Sequence, residues 1–254
     1  MTRFPTLFLG HGSPMNAVEE SAWRDGWRAA ARAIPKPRAV LCVSAHWESR
    51  GVALGGAERP ETIHDFYGFP QALFDVRYPA PGSPELAREA AALLPGAVVD
   101  PGYGLDHGAW GVLATMYPDA DVPVVQLSLD RRRSAAEHVE LAKKLAPLRE
   151  KGVLVLGSGN IVHNLRLVDF QREGGEPWAD RADAAVRAAA ERGDLGALAA
   201  YATLSPDMPR AVPTPEHYLP LLYVLALRAP DEPLSFFNTG TVMGALSMTC
   251  ARVG

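Results

Sequence analysis

The chain has 254 residues, 48% of them hydrophobic, and a formal net charge of −4, which is enough material to bury a large core in a single domain spanning 1–254. Its arginines are scattered instead of forming a basic stripe with interleaved aromatics, so nucleic acid is excluded as the expected partner. The longest apolar run, LPLLYVLAL from 219, falls short of the roughly 20 residues that cross a bilayer; the two cysteines, Cys42 and Cys250, form no disulfide framework and no leader pattern is seen, so no membrane association and a cytoplasmic location are expected.

Apolar or β-branched runs at 5–9, 39–44, 123–128, 153–157 and 234–238 predict strands. Stretches rich in Ala, Glu, Arg and Leu, with helical spacing at 17–33, 84–94, 134–149 and 179–202, predict helices between them. The alternation predicts an α/β fold: one domain with a central, mostly parallel or mixed sheet flanked by helices. Gly12-Ser13-Pro14, Pro79-Ala80-Pro81-Gly82 and Pro213-Thr214-Pro215 mark sharp loops.

Histidines stand where apolar runs end: His11 after TLFLG, His46 in AVLCVSAHW, His163 in VLVLGSGNIVHN and His217 in PTPEHY. Loops that follow parallel strands open on one sheet edge, and imidazoles gathered there suggest a metal site. Gly10 and Gly12 flank His11 and leave room beside its ring. Glu216 and His217 are adjacent, and neighbouring side chains diverge, so one ligates and the other supports. A carboxylate at that place makes the two-His-one-carboxylate face of non-haem Fe(II), whereas His217 makes the three-imidazole set common for catalytic zinc. Pro215-Glu216 also reads as a helix start, where a carboxylate is favoured.

Gly157-Ser158-Gly159-Asn160 reads as a backbone nest opening a helix, though it lacks the spacing of a phosphate or dinucleotide loop. His163, just inside that helix, would stay neutral and serve as a general base. His107, in Gly-Leu-Asp-His-Gly, either hydrogen-bonds a ligand or caps the helix expected from about Ala109. His64, Phe66 and Tyr67 belong to an aromatic loop suited to covering a flat substrate. His138, in a charged amphipathic helix, is expected to be solvated. Arg77 and Arg166 are candidates for a substrate carboxylate, since arginine pairs with it bidentately.

At FLGHGSPMNA (8–17), VSAHWES (43–49), TIHDFYGFP (62–70), YGLDHGAWGVL (103–113), VPVVQLSLD (122–130), GSGNIVHNL (157–165) and PTPEHYLPLLY (213–223) the chain resembles the class III extradiol ring-opening dioxygenases, in their DOPA dioxygenase branch. The resemblance spans nearly the whole chain. It implies a mononuclear site with His11, His46 and His217 as metal ligands, His163 as acid/base or further ligand, and His107 assisting. It also implies Fe(II) for ring cleavage, with Zn(II) found in some relatives as isolated, and a catecholic substrate with O2 as partners. A zinc-dependent hydrolase on the same histidines, or a non-catalytic metal-binding protein, are the competing readings.

Overall fold

Strands buried on both faces need no alternation in the sequence, and the runs TLFLG and VLVLGSG are buried at every position. The computed structural model describes residues 3–254. Its elements begin with β1 (Thr6–Gly10), α1 (Ala22–Arg32), β2 (Ala39–Ser49), β3 (Ala53–Gly55), α2 (Gln71–Phe74), α3 (Pro84–Leu93), β4 (Val98–Asp100) and α4 (His107–Met116). The second half holds β5 (Val124–Asp130), α5 (Ala135–Lys143), α6 (Ala146–Glu150), β6 (Val153–Gly159), α7 (Pro177–Glu191), α8 (Leu195–Ala199), α9 (Met208–Ala211), α10 (Leu219–Leu225), β7 (Leu234–Phe237), β8 (Thr241–Val242), β9 (Leu246–Ser247) and β10 (Cys250–Val253).

Eight of these strands form one mixed sheet in the order β4-β3-β5-β2-β6-β1-β10-β7. The four central strands run parallel. At the edges β10 is antiparallel to both β1 and β7, and β3 is antiparallel to β5. Alternate side chains divide the core: Phe8, Leu41 and Val43 pack with the Val186 and Leu222 side of the molecule, while Leu7, Leu9, Val40 and Cys42 pack with Trp27 and Trp110. Each fully buried Leu, Val or Phe contributes roughly 1.5–3 kcal/mol, so the sheet is fixed from both faces. Parallel strands bring their carboxyl ends to one edge, and the loops leaving β1, β2 and β6 open there.

Several elements differ from the sequence pattern for identifiable reasons. The helix expected over 134–149 is two, because Pro147 lacks the N–H that continuity requires and instead sits in the first turn of α6. The stretch 179–202 is interrupted at Gly193, whose φ of 68° ends α7 before Asp194 caps α8. The segment 17–33 is a short 3-10 turn (Pro14–Ala17) followed by α1, which Ser21 caps. Strands β3, β4 and β10 were too short or too polar in pattern to be expected. The Gly157–Asn160 segment opens no helix: β6 runs through Gly159, and His163 makes an isolated bridge with Leu246.

Candidate active site

His11 lies one residue beyond β1, where its backbone N–H donates to the Gly159 carbonyl at 3.1 Å. Gly12 follows with φ 62°, a conformation that favours glycine and turns the chain away from the ring. His46 lies inside β2, within a register shift between Val43 and Glu48 that re-aims the strand's side chains. His217 occupies the turn before α10, and its carbonyl accepts from Asn160 N at 2.8 Å. A Cβ on Gly159 would stand 2.1 Å from that carbonyl, so β6 and the His217 turn approach this closely only through glycine.

These placements bring three imidazoles together. Ring centroids are 5.1 Å apart for His11–His46, 5.3 Å for His11–His217 and 4.9 Å for His46–His217, and their ligand-capable nitrogens lie within 4.8 Å of one another. The Nε2 atoms of His11 and His46 are 3.4 Å apart. Each Nδ1 has a separate partner facing away from that centre. The Ser158 hydroxyl donates to the Gly108 carbonyl at 2.5 Å, so at 3.0 Å it accepts from His11 Nδ1. His217 Nδ1 lies 3.2 Å from Glu216 Oε1, and His46 Nδ1 lies 3.5 Å from Asp65 Oδ2. With Nδ1 of His11 and His217 hydrogen-bonded and that of His46 facing the Asp65 carboxylate, the Nε2 lone pairs are left free, which is the donor set a divalent ion takes from histidine. Burial, then the neighbouring histidines, holds His11 and His217 well below the usual imidazole range, and burial with His107 lowers His46 against the opposing pull of Asp65. Three neutral imidazoles in this arrangement fit a metal.

Glu216 does not begin a helix: α10 starts at Leu219, and the carboxylate accepts from Thr214 Oγ1 at 2.9 Å while facing His217. His163 stacks on His217 with centroids 3.4 Å apart and planes 6° apart. Burial, and secondarily His107, lowers its pKa to about 4, keeping the ring neutral without the helix dipole expected from sequence. The cap of α4 is Asp106, not His107: Asp106 Oδ1 accepts from Ala109 N at 3.1 Å and from Ser44 Oγ at 2.6 Å. His107 instead faces the cavity, with its ring centroid 3.9 Å from that of His46.

Sequence reasoning missed Asp65. Its Oδ1 accepts from the His107 backbone N–H at 2.9 Å and lies 3.0 Å from His107 Nδ1, a close electrostatic contact without the alignment of a hydrogen bond. Burial disfavours the Asp65 carboxylate, but His107 and His46 outweigh it and lower its pKa. Asp65 stands in the aromatic loop beside the predicted residues, and only the fold shows that it reaches two histidines from separate elements.

A cavity of about 620 Å³ opens over the histidines, walled by Phe66, Tyr67, Phe69, Leu165, Phe170 and Leu246 among others. Phe66 meets His107 edge-on at 5.5 Å. His64 does not line this cavity: its Nε2 sits 3.1 Å from the Val76 carbonyl, and its ring packs near Phe66, Phe74 and Trp110, supporting the loop from behind. Arg77 is spent on the carbonyls of Phe74 and Val76 at 2.7 and 2.8 Å. Arg166 is exposed and outside the cavity. His138 is buried, not solvated, with Nδ1 2.9 Å from the Tyr223 hydroxyl.

Residues 5–239 match the family described as the catalytic LigB subunit of aromatic ring-opening dioxygenase. The chain is 46% identical to the 4,5-DOPA dioxygenase extradiol of Escherichia coli K12, covering 100% of this chain and 96% of that one. It is 39% identical to the protein of that name from Beta vulgaris, covering 95% and 93%. The crystal structure of an uncharacterized Escherichia coli K12 protein superposes with a TM-score of 0.88 at 41% identity, over 99% of this chain and 100% of that one. The chain thus belongs to the LigB family of aromatic ring-opening dioxygenases and is a metal-dependent, non-haem enzyme of the extradiol kind.

Proposed function

We propose that this enzyme opens catechols bearing a ring substituent, DOPA being the one its relatives are named for, with Fe(II) held by His11, His46 and His217. The observation that carries the ligand assignment is the convergence of three imidazoles whose Nδ1 atoms are each turned to a separate acceptor. The chemistry such an ion supplies is electron exchange between a catechol and dioxygen, which organic side chains cannot perform.

The remaining steps belong to the protein. His163, neutral and in the cavity wall, accepts the proton of a catechol hydroxyl and returns it later in the reaction. His107, fixed through its backbone N–H and ring by Asp65, offers its other ring nitrogen to the cavity as a hydrogen-bonding group for substrate oxygen. Phe66, edge-on to His107, offers an apolar face to the flat ring, and Tyr67 stands exposed at the cavity rim.

Oxygen uptake and formation of a coloured ring-opened product tell the readings apart, using metal-free protein reconstituted separately with Fe(II) and Zn(II). Uptake coupled to product with iron alone is expected. Turnover of an ester or amide with zinc and no oxygen consumption would replace the proposal with a hydrolase on the same histidines.

A further inference from the structure

The cavity over the histidines has a neighbour. A second cleft of about 250 Å³ adjoins it, and the two share Ser13, Phe170 and Met243 as walls. The loop carrying Phe170 is tied down on both sides of that residue: Asp169 N donates to the Met243 carbonyl at 3.0 Å, and Met243 N donates to the Arg172 carbonyl at 3.1 Å. The cleft also reaches back to the first ligand loop, because Asn16 lines it and gives its amide to the His11 carbonyl at 3.0 Å.

The two spaces differ in charge. No lysine or arginine lines the cavity, whereas Arg172 and Glu173 both line the cleft and place one charge of each sign there. Arg172 gives N–H groups to Glu176 Oε1 at 2.5 Å and to the Gly175 carbonyl at 3.3 Å. A guanidinium has five N–H groups, so donors remain on a side chain that is 41% exposed. Glu173 is exposed as well.

A catechol bound for cleavage turns its two adjacent hydroxyls towards the histidines, and an ion held there is engaged by those oxygens. A substituent across the ring therefore points away, and any charge it carries needs a partner elsewhere. We propose that the cleft is the subsite for that substituent and takes an α-amino acid end, Arg172 binding the carboxylate and Glu173 the ammonium group. This rests on the catechol-cleaving reading above. Ends that carry one charge use half of the subsite, and uncharged ends use neither group.

The test uses four probes: DOPA, 3-(3,4-dihydroxyphenyl)propanoate, dopamine and 4-methylcatechol. Dissociation constants are measured anaerobically by tryptophan fluorescence on the iron-reconstituted enzyme, and turnover is measured in air. Arg172→Gln is expected to weaken DOPA and the propanoate at least about fivefold while sparing dopamine and 4-methylcatechol. Glu173→Gln is expected to weaken DOPA and dopamine and to spare the other two. Glu176→Gln, which breaks the Arg172 ion pair but keeps the guanidinium, is expected to retain all four affinities. Arg166, exposed and lining neither space, is expected to be replaceable by Gln without effect on any of them.

Equal losses for all four probes, a loss in Glu176→Gln matching that in Arg172→Gln, or a carboxylate-specific loss in Arg166→Gln alone overturns the subsite. A 4-methylcatechol that is neither bound nor opened overturns the catechol reading instead, since it does not use the cleft, and the affinities of the charged probes still decide the subsite.

Discussion

Asp65 is the residue on which two histidines from different elements depend. Removing its charge while keeping its shape separates orientation from bulk: Asp65→Asn still accepts from the His107 backbone N–H but gives up the electrostatic hold on His107 and His46. Loss of a partner to a ligand histidine costs about 10–100-fold in metal affinity or activity. Both should fall in this variant, with near-ultraviolet circular dichroism unchanged; wild-type iron affinity and kcat in Asp65→Asn would remove Asp65 from this role. His11 and His46 were legible because each follows an apolar run that reads as a strand, whereas His217 precedes the apolar run of α10 and stood out through its own motif. Asp65 and Ser158 were not, since neither residue type nor spacing shows that a side chain from a loop and one from β6 will meet a ring from elsewhere. His138 misled for the opposite reason: a polar sequence neighbourhood hid the fact that Tyr223 covers it.

Helix α4 carries His107 into the site, and its start is held by one buried carboxylate. Asp106 accepts from Ala109 N and Ser44 Oγ, and from Gln126 Nε2 at 2.6 Å. Asp106→Ala removes the cap and leaves the Gln126 amide N–H and the Ser44 and Tyr103 hydroxyls without an acceptor, a combined cost of about 2–4 kcal/mol. Chemical denaturation should show that loss together with reduced turnover, because His107 leads the destabilised turn; unchanged stability would contradict the role given to Asp106. At this scale the central strands were readable, since burial on both faces demands continuous apolar runs. Short strands such as β3 and β4 carry too few residues to show a period, and the glycines that close β6 read as a helix-opening nest although Gly159 serves a close approach to the His217 turn.

For the whole molecule, stability and metal loading are linked through mass action. A metal at 100 times its dissociation constant stabilises the folded chain by about 2.7 kcal/mol, so chelation should lower the Tm by about 5–10 °C for a domain of this size. No shift on chelation, with metal shown to leave, would contradict a site built only in the folded state. Acid sensitivity has a separate source in His138, whose pKa burial lowers from 6.5 to about 4. Between those values the unfolded chain binds the proton and the folded chain does not, so stability falls as pH drops from 6.5 towards 4 and levels below it. That contribution amounts to about 3 kcal/mol. Unfolding free energies of wild type and His138→Gln should therefore converge, or cross in favour of the variant, as pH falls through that window; parallel curves would place the acid sensitivity elsewhere.

Iron content per chain after anaerobic reconstitution and gel filtration, compared between His217→Gln, Glu216→Gln and His163→Ala, tests the three-histidine centre most directly. His217→Gln is predicted to lose the iron, Glu216→Gln to hold it more weakly, and His163→Ala to retain it while losing turnover. Full iron in His217→Gln, or its loss from His163→Ala, would contradict a centre built on His11, His46 and His217 with His163 reserved for protons.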